Sequence, residues 1–198
     1  MIDNVVVSAK EPEQDIYNKA AWTGTAESET PTSQGGGKEG VIGMAFDNSS
    51  STHWHSDWSQ ATKDKVPTSA GAAGTGKGAD GSIWAEVKFD KGYEINQVLF
   101  APRQDTNSGQ VTKASLYIQT EKDGKWVEVA KDKTFAADKS EKAFTFDKQM
   151  VYGFKFVATQ SNDGWVTVSE FNIADKKVTD KIYTCLLYTS PSPRDMRR

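Results

Sequence analysis

The sequence predicts an all-β domain, folded as an antiparallel sandwich or barrel. Short runs in which apolar and polar residues alternate recur about every ten residues, as is typical of these two architectures. No segment sustains the apolar period of an amphipathic helix. The pair Asp123-Gly124 separates two alternating runs and is a strong hairpin signal. Together these observations favour β-strands joined by tight turns.

The predicted strands follow one another after residue 82. The first, residues 83–89, alternates strictly, so that its four apolar side chains share one face. The next, residues 94–102, is apolar enough to be a central strand. A hairpin then joins residues 113–120 and 125–130 through a turn at residues 121–124. Three more runs follow it, at residues 144–146, 152–159 and 165–173.

Composition restricts the classes of partner. The 198 residues are enough for one domain with a sizeable core. A formal net charge of −3 gives no basic field for phosphates, so we expect no nucleic-acid partner. No stretch reaches the roughly 18 apolar residues of a membrane span, so we expect no membrane insertion. Cys185 is the single cysteine, which excludes a disulfide within the chain.

We expect the chain to have three parts. Residues 17–175 form the domain, residues 1–16 are a linker from a preceding domain, and residues 176–198 are a linker with a tail. The start lacks the charged and apolar regions of a signal peptide, although residues 5–7 could form a short strand. From Cys185 the composition changes abruptly and resembles translated sequencing-adapter read-through. We therefore interpret the tail as non-native and the chain as a fragment.

Two long polar segments interrupt the strand pattern. In the first, Glu39 either reaches a ligand or is a solvated loop glutamate, which is the interpretation we favour. The second, residues 59–82, is rich in Gly, Ala and Ser, and loops of this length are usually functional or disordered. It either walls a binding site or has no fixed position, and the sequence does not decide between the two.

The densest motif is AFDNSSSTHWHSDW at residues 45–58. Asp47 and Thr52 are separated by turn-forming residues, so the loop can direct carboxylate, hydroxyl and carbonyl oxygens at one hard cation. His55 then precedes Trp58 by three residues. An imidazole beside a flat apolar ring suits a sugar, which has polar edges and apolar C–H faces. The alternative is a surface turn that leads into a buried tryptophan.

This motif resembles the A-x-D-x-x-x-x-T-x-W pattern of discoidin-like (coagulation factor 5/8 type C) domains, and especially of family 32 carbohydrate-binding modules of bacterial glycosidases. Here the pattern is formed by Ala45, Asp47, Thr52 and Trp54. The resemblance extends from about Trp22 to Ala174. It implies an eight-stranded antiparallel jelly-roll β-sandwich of the galactose-binding-domain-like type, in agreement with the strand pattern.

The resemblance also implies a structural calcium ion (Ca²⁺). Carboxylate, hydroxyl and carbonyl oxygens from the motif and from the last strand would coordinate it, which is a mixed oxygen set that suits this ion. Otherwise, Glu170 would lie on the exposed face of an edge strand. The implied ligands are Met44, Asp47, Ser49, Thr52, Ser169 and Glu170.

A sugar site at one end of the sandwich is implied as well. The family's P-R-x-D motif followed by an N-G turn corresponds to Pro102 to Asp105 and then to Asn107, but here Ser108 stands directly before Gly109. Arg103 has the alternative of a structural salt bridge with Asp105 or Asp57, and Trp165 that of capping the sandwich end. The implied sugar contacts are His55, Trp58, Arg103, Asn107 and Trp165.

The function implied is that of a non-catalytic carbohydrate-binding module. It would tether a secreted bacterial glycoside hydrolase to galactose or N-acetylgalactosamine glycans such as mucin. We expect an extracellular or cell-surface monomer, covalently linked to a catalytic domain. One alternative is a discoidin domain for cell-surface adhesion that binds protein or lipid. Another is a catalytic fragment. It would use either a metal held by His53 and His55, which share one face of a strand, or the paired carboxylates of a glycosidase, drawn from Asp47, Asp57, Asp105 and Glu170.

Overall fold

The computed structural model describes residues 17–31, 36–59 and 63–175. Within these ranges the chain is built from strands and short 3₁₀ helices, and its main sheet is antiparallel, so the predicted all-β class is confirmed. The predictions for residues 1–16 and 176–198, including the short strand and the tail, lie outside the described residues.

The described residues form nine strands and three 3₁₀ helices. The helices are Lys19–Ala21, Ile42–Ala45 and Ala79–Gly81. None of the helices in the described ranges is long and apolar enough to cross a membrane. The strands are β1 (Thr23–Ala26), β2 (Glu39–Gly40), β3 (His53–His55), β4 (Ile83–Ala101), β5 (Val111–Gln119), β6 (Val127–Thr134), β7 (Lys142–Ser161), β8 (Thr167–Val168) and β9 (Glu170–Ala174).

The strands form two sheets. The larger sheet has the order β1-β4-β7-β5-β6, with β9 also paired to β4, and all its pairs are antiparallel. The smaller sheet has the order β2-β3-β8 and contains one parallel pair, β2 with β3. Apolar residues of both sheets belong to one buried cluster, as expected of a sandwich.

Two strands are longer than the sequence predicts. Residues 83–89 and 94–102, expected as separate strands, are joined in β4, and two other predicted runs are joined in β7. The pairing between them shifts register between Lys88 and Tyr93 and again between Ile95 and Gln97. A bulge of this kind bends a strand without ending it. A polar break in the alternation therefore does not separate two strands here.

One predicted strand is divided instead. Residues 165–173 form β8 and β9, which are separated by Ser169. The hydroxyl of Ser169 donates to the carbonyls of Ala101 (3.1 Å) and Pro102 (2.9 Å), and its amide donates to the Ala101 carbonyl (2.8 Å). The chain thus passes from the small sheet to the large sheet at Ser169, next to the end of β4.

The core follows the predicted alternation. Ile83, Ala85 and Val87 are fully buried, and Phe89 is nearly so. Beside them lies a group of stacked phenylalanines, whose fully buried members are Phe100, Phe144, Phe154, Phe156 and Phe171. Burying a side chain of this size stabilises the fold by about 1.5–3 kcal/mol.

Four tryptophans in or next to strand patterns, which the sequence indicates as core or near-core residues, fall into two groups. Trp22 and Trp54 are buried, and Trp54 donates its indole N–H to the Ser28 carbonyl (2.9 Å). Trp84 and Trp126 are only half-buried.

Candidate functional site

The small sheet and the loop after β4 border an open cleft of about 490 Å³. His55 ends β3, Arg103 follows β4, and Trp165 precedes β8, so three separate segments converge there. Four of the five predicted sugar contacts meet in this cleft. Its lining residues are Glu39, His55, Trp58, Lys63, Lys65, Arg103, Ser108 and Trp165.

Glu39 links the polar groups of the cleft. The parallel pairing of β2 with β3 sets Glu39 opposite His53. Its carboxylate accepts hydrogen bonds from Trp58 Nε1 (2.9 Å) and His53 Nε2 (3.3 Å), and it lies 3.6 Å from Arg103 Nη1. One buried carboxylate therefore holds an indole, an imidazole and a guanidinium in fixed positions. The interpretation of Glu39 as a solvated loop residue is wrong, because tertiary pairing buries it.

His55 is a neutral acceptor in the cleft wall. Its Nδ1 lies 2.6 Å from the Ser56 carbonyl. A carbonyl only accepts, so Nδ1 carries the proton and Nε2 keeps a lone pair. Burial is the main cause that lowers the pKa of His55, and the charge of Arg103 acts in the same direction. The same two causes lower the pKa of His53. Near pH 7 both rings are therefore uncharged.

Arg103 is held in place by carboxylates on two sides. Its Nε and Nη2 donate to the two carboxylate oxygens of Asp105, at 2.7 Å and 2.9 Å. These bonds hold the pKa of Asp105 well below its usual range. The alternative of a salt bridge with Asp105 is thus realised, and Arg103 lines the cleft as well. A guanidinium has five N–H donors and this bidentate pair uses two, so donors remain for a ligand.

Trp165 stands at the other side of the cleft. It is half-buried, and its ring centroid lies 5.8 Å from that of His55. The ammonium of Lys65 lies 4.3 Å from the Trp165 centroid, in a cation–π contact. Trp165 therefore lines the cleft, as predicted, but its ring is already in contact with the Lys65 ammonium.

Asn107 is the predicted contact that does not line the cleft. It is exposed, and Ser108 occupies the lining position instead. Asp163 fixes this turn, because its carboxylate accepts from Ser108 Oγ (2.7 Å) and from the Gly109 amide (3.0 Å). Gly109 has a φ of 75°, and a Cβ there would lie 2.5 Å from Thr167 Cγ2. The Ser-Gly order of the turn thus places Ser108 where the family pattern has asparagine.

Of the described part of the long polar segment, residue 59 and residues 63–82, Lys63 and Lys65 line the cleft. The Val66 amide donates to the Gly164 carbonyl (2.8 Å), which attaches the segment beside Trp165. The amide and hydroxyl of Thr75 donate to the carbonyls of Lys65 (2.6 Å) and Lys63 (2.9 Å). A segment that walls the binding site, as opposed to one without a fixed position, was one of the two alternatives that the sequence left open.

The predicted cation loop is folded as expected around Asp47. The Asp47 carboxylate accepts from the Ser49 amide (2.9 Å) and from Thr52 Oγ1 (2.7 Å). The Thr52 hydroxyl also lies 3.1 Å from the Ser49 carbonyl. Met44 lies just before, in a 3₁₀ helix. Oxygens of Asp47, Ser49 and Thr52 therefore lie close together in this loop.

Glu170 lies beside this loop with half of its carboxylate unpaired. Lys19 Nζ contacts Oε1, and also Asn172 Oδ1, whereas the buried Oε2 has no hydrogen-bond partner. Burial raises the pKa of Glu170, and the negative charge of Asp47 acts in the same direction, whereas the ammonium of Lys19 and the backbone amide of Asn48 oppose this shift. In the described residues no three His, Cys, Asp or Glu side chains cluster, so a cation here would also need hydroxyl and carbonyl oxygens.

Sequence reasoning missed four residues of the cleft. Glu39 is in a two-residue strand, which is too short for a periodic signal. Lys63 and Lys65 are in the segment whose position was undecided, and no local pattern distinguishes them from other lysines. Ser108 could have been found from its place directly before Gly109.

The chain is similar to several known proteins. It matches the F5/8 type C domain family over residues 23–171. It is 25% identical over 171 residues to the A type blood N-acetyl-alpha-D-galactosamine deacetylase of Flavonifractor plautii, which covers 86% of this chain but 19% of that protein.

Two solved structures share the fold. CpGH89CBM32-5 from Clostridium perfringens, in complex with GalNAc-beta-1,3-galactose, has 22% identity and a TM-score of 0.64, and the match covers 78% of this chain and 96% of that chain. The family 32 module of NanJ from the same organism, in complex with galactose, has 22% identity and a TM-score of 0.60 over 78% and 94% of the two chains. The family match covers most of the chain, and the chain therefore belongs to the F5/8 type C domain family.

Proposed function

We propose that this domain is a non-catalytic carbohydrate-binding module for glycans that end in galactose or N-acetylgalactosamine. The observation that carries the proposal is the convergence of His55, Trp58, Arg103 and Trp165 on one open cleft. Two structural relatives of the same fold are in complex with galactose-containing sugars.

The cleft provides both kinds of contact that a sugar needs. Arg103 supplies donors for neighbouring hydroxyls, and His55 Nε2 supplies an acceptor. The indoles of Trp58 and Trp165 offer apolar area to the C–H face of the ring. Because Glu39 and Asp105 hold Trp58 and Arg103 before a ligand arrives, little ordering of these two side chains is needed on binding.

The cleft favours binding over hydrolysis. Glycoside hydrolysis commonly uses two carboxylates that flank the scissile bond. Of the described residues that line the cleft, Glu39 alone carries a carboxylate, and three partners engage it. The domain would act by holding an attached enzyme near its substrate, which raises the effective concentration. We propose a secreted or cell-surface glycoside hydrolase that acts on mucin-type glycans as the parent protein.

Calcium at the Asp47 loop is the second part of the proposal. Asp47, Thr52 and Glu170 would supply side-chain oxygens, and Met44, Ser49 and Ser169 would complete the set of oxygen ligands. The unpaired, buried Oε2 of Glu170 fits such an ion, since a buried carboxylate oxygen without a partner is costly. When bound, the ion would neutralise charge and join the loop to β9. It would have a structural role.

The test is a glycan array followed by calorimetry. We expect terminal galactose-type sugars to bind with a Kd of roughly 0.1–1 mM, or about −4 to −5.5 kcal/mol. Affinity is modest because each sugar hydroxyl exchanges a water bond for a protein bond at small net gain. An aryl-galactoside assay on the same sample should show no hydrolysis. A calcium-loaded, folded sample that binds no glycan at millimolar sugar would reject the proposal.

A further inference from the structure

We propose that the sugar bound in the cleft carries an anionic substituent, a sulfate ester or a carboxylate, which is recognised by Lys63 and Lys65. The inference rests on the proposed function, because it names the class of galactose-type ligand for the same cleft. Its basis is the position and charge of these two lysines and the contact of Lys65 with Trp165.

The polar segment brings both lysines to the cleft in a defined conformation. Its attachment to Gly164 and the bonds from Thr75 fix the backbone of Lys63 and Lys65. The Lys63 amide also donates to the Ser59 carbonyl (3.1 Å). The lysines are therefore part of the cleft wall, and their ammonium groups can reach a bound ligand.

The other charges of the cleft largely neutralise one another. Arg103 is paired with Asp105 and lies near Glu39. In contrast, neither Lys63 nor Lys65 forms an ion pair with a carboxylate of the described residues. With Lys63 and Lys65, three positive charges meet the two negative charges of Glu39 and Asp105, which leaves a surplus of one positive charge at the cleft of a protein whose net charge is −3. Such a local field favours an anionic ligand.

The contact of Lys65 with Trp165 adds a second reason. The Lys65 ammonium lies over the ring, 4.3 Å from its centroid, and both side chains line the cleft. A sugar that stacks on this face must displace the ammonium, which then loses its cation–π partner. A neutral sugar offers no replacement, whereas a sulfate or carboxylate on the same ring does. The anionic ligand therefore compensates for the displaced contact.

The experiment compares sugars that differ only in the substituent. Calorimetry at low salt would measure galactose, its 3-, 4- and 6-sulfates and galacturonic acid against the full chain, the Lys63→Gln/Lys65→Gln variant and the Lys77→Gln variant. Lys77 is an exposed lysine of the same segment that does not line the cleft, so it is the matched control.

We expect at least one anionic sugar to bind about three- to tenfold more tightly than galactose, as two partly exposed ion pairs allow. The ratio of the affinity for the anionic sugar to that for galactose should fall to about twofold or less in the double variant and in high salt, which screens such pairs. The Lys77→Gln variant should show the same ratio as the original protein. Preference for the sulfates or for galacturonic acid identifies the source of the charge.

Three results would overturn the inference. If galactose binds and every anionic sugar binds no better, the proposed function stands and the inference fails. If the preference persists in the double variant, the lysines do not cause it. If neither galactose nor any anionic sugar binds, both the proposed function and this inference fail.

Discussion

The cleft and the cation loop both include residues of the stretch 45–58, yet they leave their polar groups in opposite states. In the cleft, Glu39 and Arg103 have partners supplied by the protein itself. At the loop, the buried Oε2 of Glu170 has none, although Asp47 carries a further negative charge nearby. A site that is already satisfied can exchange a weak ligand without affecting the fold. A site in which a buried carboxylate oxygen has no partner is stabilised by a ligand that binds that oxygen.

The largest expected effect tests the loop side of this difference. Removal of calcium with EDTA should lower the melting temperature by roughly 5–10 °C, since bound ligand stabilises the folded state by mass action. Added Ca²⁺ should restore it. The Asp47→Ala variant should no longer respond, whereas Asp80→Asn should respond like the original, because Asp80 is exposed and distant from the loop in sequence.

Differential scanning calorimetry with metal analysis of the purified protein would measure this. A melting temperature that EDTA leaves unchanged, in protein that contains no metal, would remove the calcium and with it the proposed contrast between the two regions.

The next effect tests the cleft side. Trp165→Ala should weaken all galactose-type sugars alike by roughly tenfold, because it removes apolar contact and no hydroxyl-specific bond. Its melting temperature should still respond to calcium. Trp84→Ala is the matched control, since Trp84 is also half-buried beneath a lysine ammonium, at 4.4 Å, but lies away from the cleft. Calorimetric titration that shows equal losses for both variants would place the site elsewhere.

A smaller effect concerns selectivity within the cleft. Arg103→Ala and His55→Ala should reduce the preference for galactose over glucose, because a hydroxyl left unpaired costs about 1–3 kcal/mol. Competition titrations with the two sugars would measure the ratio. If the ratio is unchanged in both variants, neither residue distinguishes the hydroxyl geometry.

The smallest effect is the dependence on pH. Burial lowers the pKa of His53 and His55 below 6.5, so His55 Nε2 stays an acceptor and sugar affinity should be flat as pH falls from 7.5 to 6.5. Affinity should decline only at lower pH, when the ring takes up a proton. Titrations at several pH values would show this, and a decline centred at 6.5 would contradict it.

The same pKa directions give the two regions opposite effects on stability. The unfolded histidines bind protons at about pH 6.5, whereas the folded ones do not. The contribution of His53 and His55 to the free energy of unfolding is therefore complete above pH 6.5 and decreases as pH falls. The pKa of Glu170 is raised above 4.5. Without calcium, the contribution of Glu170 to the free energy of unfolding therefore decreases as pH rises through this raised pKa. The comparison of melting curves with EDTA and with Ca²⁺ would separate the two.

Local pattern predicted most of the sheet. The alternation of residues 83–89 and the turn at Asp123-Gly124 both depend on neighbours in sequence, and both appear as predicted. Strand limits were less predictable, since β4 continues through a polar bulge and β8 ends at Val168, just before Ser169. Whether a strand continues is decided by the partner strand, which the local pattern does not contain.

The sequence by itself determined the all-β class, the oxygen-rich loop around Asp47 and four of the cleft's lining residues, because these depend on periodicity and on motif spacing. Only the tertiary structure decided that Glu39 joins the cleft, that Ser108 replaces Asn107, and that Lys65 lies on Trp165. Each of these contacts joins residues that are far apart in the chain. Their positions are set by strand pairing and by the closure of loops, so no local pattern of residues specifies them.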